Sequence, residues 1–347
     1  MFNLDALLRD NIRRLVPYSS ARDEFRGQAA VFLDANENSF GSPVNANYHR
    51  YPDPLQSALK EKLSRIKGVP VQNMFLGNGS DEAIDILFRA FCEPGKDNVI
   101  LLPPTYGMYE VSATINDVEV RKAVLRPDFQ LDPDAIAELI DERTKLLFVC
   151  SPNNPTGNSI EREDIEMVLN NFEGLVVIDE AYINFARQKT FIAELQEYPN
   201  LVILQTLSKA WGLAGLRLGM AFASEGIIEV FNKVKPPYNV SSSTQQLALE
   251  ALENVEQVNE WIRRIVGQRE ELRKLLPQFS FVKKIFPSDA NFLLVQVEDA
   301  RRLYGHLVQH GIVVRDRSKI ILCEGCLRIT VGTEEENRKL LEALAVF

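Results

Sequence analysis

The sequence predicts an α/β protein, with a mostly parallel sheet between helices in a large domain and a smaller α+β C-terminal domain. Three observations predict it. Short, nearly continuous apolar runs recur at Asn98 to Leu102, Lys145 to Cys150, Leu175 to Asp179 and Leu201 to Leu207. Such runs fit strands buried on both faces. Helical spacing lies between several of them, as from Glu161 to Asn171. After Pro236-Pro237 the pattern changes to a long helical stretch from about Ser243 to Leu276, then short strands around one helix.

In chain order, residues 1–30 are helical and then polar, and read as an N-terminal arm that could pack on either domain. Residues 31–240 hold the buried runs and read as the large domain. Residues 241–347 hold FVKKIF, NFLLVQV, a helix, GIVVRD and CLRITVG, and read as the small domain. The opening MFNLDALLRDNIRRL mixes acids and bases at helical spacing, unlike a signal peptide. No apolar stretch is long enough to cross a bilayer, so no membrane contact and a cytoplasmic location are expected.

A hydrophobic fraction of 46% with 25% charged residues is that of a globular protein. The net charge of −9 argues against a nucleic-acid surface, while leaving room for a local arginine cluster. Cys323 and Cys326 form a lone C-x-x-C, and the chain has only three histidines. No metal site is expected, and reduced thiols are the favoured reading.

Ligands of open α/β sheets bind beyond the carboxyl ends of the strands. There the sequence places Asn154 in SPNNPTG, Asp179 and Tyr182 in IDEAY, and Thr206, Ser208 and Lys209 in TLSK. Singly these are a turn, a helix cap and a solvated loop. Together, at one sheet edge, they are far more specific. Gly77-Asn78-Gly79-Ser80-Asp81-Glu82 precedes the apolar helix AIDILFRAF, and glycines before a helix suit an anion. It is not a dinucleotide fingerprint, since Glu82 stands where a third glycine would be.

SPNNPTG, VVIDEAY and TLSKAWGLAGLRLG, in this order, resemble the core motifs of the fold-type I aminotransferases, which depend on pyridoxal 5′-phosphate. The resemblance runs nearly end to end, through DANEN, RYPD, GNGSDE, FCEPGKD, PPTYGMY and CLRITVGT. In that detail it is similar to the histidinol-phosphate aminotransferase branch.

The resemblance implies that Lys209 holds the cofactor as an imine and moves the substrate proton. Asp179 would face the ring nitrogen and favour its protonated form. Asn154 and Tyr182 would donate to the phenolic oxygen, and Tyr106 would lie over the ring. Gly79, Ser80, Asp81, Thr206, Ser208 and Arg217 would form the phosphate cup. Tyr51 would reach the cofactor phosphate of a neighbouring subunit, which implies a homodimer with shared sites. Tyr18, Asn36, Arg315 and Arg328 would bind substrate, the arginine forks serving phosphate and carboxylate alike. The implied reaction converts L-histidinol phosphate and 2-oxoglutarate to imidazole-acetol phosphate and L-glutamate. An aromatic aminotransferase or a threonine-phosphate decarboxylase of the same fold stays open, as does a cofactor-sensing regulator, for which no basic segment speaks.

Overall fold

The computed structural model describes residues 2–25, 29–44 and 46–347. Met1 and residues 26–28 of the expected arm, with Asn45, lie outside them.

Seven strands form the larger sheet: β1 Met74–Asn78, β2 Asn98–Leu101, β3 Glu119–Lys122, β4 Thr144–Cys150, β5 Leu175–Asp179, β6 Leu201–Thr206 and β7 Leu218–Ala223. Their order is β1-β7-β6-β5-β4-β2-β3. The ladders from β3 across to β6 are parallel. β7 runs the other way and pairs antiparallel with both β6 and β1. The apolar runs mark β2, β4, β5 and β6; β1, β3 and β7 are additions to them.

Alternation along these strands divides the interior in two. Leu147 and Val149 of β4, Val176 and Ile178 of β5 and Ile203 of β6 join one core. Leu146 and Phe148, Leu175 and Val177, and Val202 and Leu204 join the other. Both faces are covered, so the strands are apolar throughout rather than alternating with polar residues. Helix Ser80–Phe91 lies on the second face, with seven buried side chains.

The first described residues pack on this large sheet layer. Leu4, Leu7 and Leu8 lie against the second core, and Ile12 is buried in it. The Arg9 guanidinium donates to the Arg89 carbonyl at 3.0 Å and pairs with Glu93 at 3.3 Å.

The smaller sheet has β8 Val282–Ile285, β9 Phe292–Val297, β10 Arg315–Asp316 and β11 Cys326–Thr330, in the order β10-β11-β9-β8, all antiparallel. A separate core of Leu293, Val295, Leu303, Leu307, Leu327 and Leu340 lies beneath it. The long helical stretch is two helices, Ser242–Ala251 and Val255–Leu275. The Asn254 side-chain amide donates to the Glu250 carbonyl at 3.2 Å. Asparagine there competes with the helical ladder, while periodicity is kept on either side.

Candidate active site

The carboxyl ends of β4, β5 and β6 open into a cavity of about 590 Å³. Because β7 is reversed, its first residue lies at the same edge, with Leu218 beside Asn78 and Gly219 beside Thr206. Five strands thus meet at one place, β1, β4, β5 and β6 by their carboxyl ends and β7 by its first residue.

Lys209 sits in the turn after β6. Its Nζ lies 5.6 Å from the centre of the Tyr182 ring. Burial lowers its pKa from the ordinary 10.5, and the Arg328 charge lowers it further. Asp179 ends β5 and is 3% exposed. Alternation points it to the face of Leu175 and Val177, where Tyr109 lies. The Tyr109 hydroxyl donates to Oδ2 at 2.6 Å, and the Ala181 N–H donates to Oδ1 at 3.0 Å. Burial pushes the Asp179 pKa up, and these two donors pull against it. Tyr109 is wholly buried, stacked on Phe148 at 4.7 Å and edge-on to Tyr106 at 5.4 Å.

Asn154 and Tyr182 line the cavity beside Asp179. The Asn154 Oδ1 accepts from the Arg328 guanidinium at 2.5 Å, which leaves the amide N–H groups as its free donors. Burial raises the Tyr182 pKa, so its phenol is a donor at neutral pH. Tyr182, in the turn after β5, also meets Phe292 of β9 edge-on at 5.2 Å, a contact between that turn and the smaller sheet.

At the other end Gly79 precedes helix Ser80–Phe91 with φ +73°, a conformation that favours glycine. A Cβ there would meet the Arg217 guanidinium at 2.7 Å. The Gly79 N–H donates to the Arg217 carbonyl at 2.6 Å. Arg217 also reaches Ser208 Oγ at 3.4 Å and Asp81 at 3.4 Å, and the Thr206 hydroxyl donates to Ser208 Oγ at 3.0 Å. Tyr106 Oη donates to Asp81 at 3.3 Å. Hydroxyls, a helix N-terminus and a guanidinium make a cup suited to a phosphate.

The opposite wall is Arg328 of β11, its partner Arg315 of β10, and Arg317. Nε of Arg328 is buried with no hydrogen-bond partner. Sequence reasoning missed Tyr109 and Arg317. Tyr109 stands in PPTYGMY, three residues after Tyr106; Arg317 stands two residues after Arg315, on the same face in an extended chain.

Three expected residues are not brought to this cavity by their own chain. Tyr51 is 51% exposed and stacks on Tyr238 at 4.5 Å. Tyr18 is 75% exposed beside Pro54 and Lys233. Asn36 is exposed, at φ +54°. Glu37, next to it, accepts from Arg50 at 2.5 Å and from the Tyr51 N–H at 2.7 Å, which ties these segments together.

The four cysteines are buried and free, and burial pushes the Cys323 and Cys326 thiols up to about 12. Among the described residues no helix is long and apolar enough to cross a membrane.

A mostly parallel sheet with an amine, a buried carboxylate and an anion cup at its carboxyl edge has the layout of the aminotransferases. The family model for aminotransferases of class I and II matches residues 31–344, and the chain belongs to that family. Among its relatives is the histidinol-phosphate aminotransferase of Cytophaga hutchinsonii, 54% identical, with 100% of this chain and 99% of that one covered. The histidinol-phosphate aminotransferase of Bacteroides fragilis is 56% identical over 99% of both chains. The crystal structure of histidinol-phosphate aminotransferase from Sinorhizobium meliloti in complex with pyridoxal-5′-phosphate superposes with a TM-score of 0.80 at 25% identity, covering 90% of each chain.

Proposed function

We propose that the protein is a pyridoxal-phosphate-dependent transaminase that converts L-histidinol phosphate and 2-oxoglutarate to imidazole-acetol phosphate and L-glutamate. One observation carries the reading: a single cavity joins the Lys209 amine, the buried Asp179 carboxylate and the guanidinium groups of Arg315 and Arg328. Its residues suit a phosphorylated pyridine. The glycine at position 79 leaves space against Arg217 that a side chain would fill, and Asp179 is a buried carboxylate facing a cavity.

When bound, pyridoxal phosphate supplies an electron sink conjugated to the substrate Cα. Lys209 would hold it covalently, and its lowered pKa keeps more of the amine neutral and nucleophilic. Freed by substrate, the same Nζ would take the proton from the substrate Cα and return it to the cofactor's aldehyde-derived carbon. Asp179 would sit against the ring nitrogen, where a positive partner relieves the burial of its own charge. Asn154 and Tyr182 would donate to the phenolic oxygen, and Tyr106 would cover the ring. Gly79, Ser80, Asp81, Thr206, Ser208 and Arg217 would hold the phosphate. Arg315 and Arg328 would bind the substrate anion, phosphate in one half-reaction and carboxylate in the other.

The site residues away from the cavity fit a homodimer. Of the twenty exposed large hydrophobic side chains among the described residues, ten lie between Leu15 and Tyr51. Such a surface suits a second copy of the chain. In that assembly Tyr51 would reach the other copy's cofactor phosphate, and Tyr18 and Asn36 its substrate. The arm 1–30, a large domain 31–240 and a small domain 241–347 remain our division of the chain.

Steady-state assay of purified protein with histidinol phosphate, phenylalanine, tyrosine and threonine phosphate tests the reading. Histidinol phosphate should have the highest kcat/KM with 2-oxoglutarate as acceptor. Far better turnover of phenylalanine, or release of carbon dioxide from threonine phosphate, would replace it.

A further inference from the structure

Arg217 belongs to the phosphate cup, and the opposite wall of the same cavity has three further arginines, Arg315, Arg317 and Arg328. Arg317 follows β10, and its main chain is pinned beside β11. Its N–H donates to the Cys326 carbonyl at 2.9 Å, and its own carbonyl accepts from Ile320 at 2.9 Å. The side chain lines the cavity with Arg315 and Arg328. Its Nε is buried with no hydrogen-bond partner, as is that of Arg328. The neighbouring Asp316 carboxylate is taken by the Ser318 N–H at 2.8 Å. The three guanidinium groups repel one another: Arg328 and Arg315 both depress the pKa of Arg317, after the larger effect of burial. Like charges gathered in a half-buried wall, with donors unpaired, are stabilised by a multiply charged anion.

We infer that Arg317 is a third substrate-binding residue of this wall, which recognises a dianionic phosphate monoester in preference to a carboxylate. The identity of that monoester rests on the function proposed above; the preference for a dianion does not. A phosphate carries up to two charges and three terminal oxygens at one point, enough acceptors for three converging guanidinium groups. A glutamate carboxylate carries one charge and two oxygens, with acceptor sites enough for two guanidinium forks and not for three.

The test uses holoenzyme with Arg317→Gln and Arg317→Lys, and the two half-reactions measured separately in single turnover. Arg317→Gln should lower kcat/KM for histidinol phosphate by about tenfold or more, the scale of one lost charge-assisted hydrogen bond. The glutamate half-reaction should change by less than about threefold, and Arg317→Lys should recover part of the loss, since it returns the charge without the fork. In a second arm, inorganic phosphate and acetate are compared as inhibitors of the glutamate half-reaction. Phosphate should weaken as an inhibitor of Arg317→Gln in the same proportion, and acetate should not. Equal losses in both half-reactions, or phosphate inhibition unchanged by the substitution, would overturn the inference. If wild-type protein ignores histidinol phosphate, the substrate reading falls, and the inorganic-phosphate arm alone decides the role of Arg317. An unchanged thermal midpoint and cofactor spectrum show that the variant is folded.

Discussion

The Tyr109 hydroxyl is one of two donors that lower the Asp179 pKa against the larger, opposite effect of burial. Removing it should raise the Asp179 pKa. A carboxylate with a higher pKa is protonated at higher pH, so the acid limb of the kcat profile should move upward in Tyr109→Phe. Asp179→Asn should abolish that limb and slow proton transfer strongly. An unmoved limb in Tyr109→Phe would leave Tyr109 a packing residue. Lys209 supplies a second test. Apoprotein should capture pyridoxal phosphate, trapped by borohydride, with an inflection below the ordinary lysine value of 10.5. Arg328→Gln removes a nearby positive charge and should move that inflection up; Lys209→Ala should trap nothing at this position and lose steady turnover. At this scale the sequence told most where a polar residue interrupts an apolar run. Asp179 is legible because it ends LVVI, and Lys209 because it follows LVILQTLS. Tyr109 is not: an aromatic on an apolar helix face looks like core, which it also is.

Elements buried on both faces were legible as strands, because β4, β5 and β6 have no solvent side to give them alternation. β3, at the sheet edge, is part exposed and only four residues long, and β7 is rich in small residues. Neither composition separates a strand from a loop. The small residues of β7 have a packing reason. A Cβ on Gly219 would meet the Ser80 nitrogen at 2.1 Å and the Gly79 carbonyl carbon at 2.2 Å, and both are main-chain atoms. Gly219→Ala should therefore force β7 away from the phosphate cup. Overpacking of this kind costs about 1–3 kcal/mol, to be read as a lower thermal midpoint and weaker cofactor retention on dialysis. Normal stability and retention would show that the turn after β1 yields freely.

For the whole molecule, the cavity built by one chain lacks Tyr18, Asn36 and Tyr51. If a second copy supplies them, neither subunit has a complete site alone. Mixing inactive Tyr51→Ala and Lys209→Ala proteins under conditions that exchange subunits should restore part of the activity, since one of the two hybrid sites has both residues intact. No recovery despite demonstrated exchange would place Tyr51 in its own subunit's surface. Oligomeric state was open to sequence reading only through resemblance, because an exposed tyrosine before Pro52 reads equally well as a turn.

The reversed strand β7 also bears on the order in which the protein is made. It joins Asn78 to Leu218, positions separated in the chain by five other strands of the same sheet. A ribosome-bound chain ending with β6 therefore has the glycine turn and the helix N-terminus but neither Arg217 nor the neighbour that fixes them. Contacts so distant in sequence close late, after local helices have formed. Cofactor capture then becomes a timer for completion of the central sheet. In refolding from denaturant, far-ultraviolet ellipticity should return first and the visible band of bound pyridoxal phosphate second, and the lag should lengthen in Gly219→Ala.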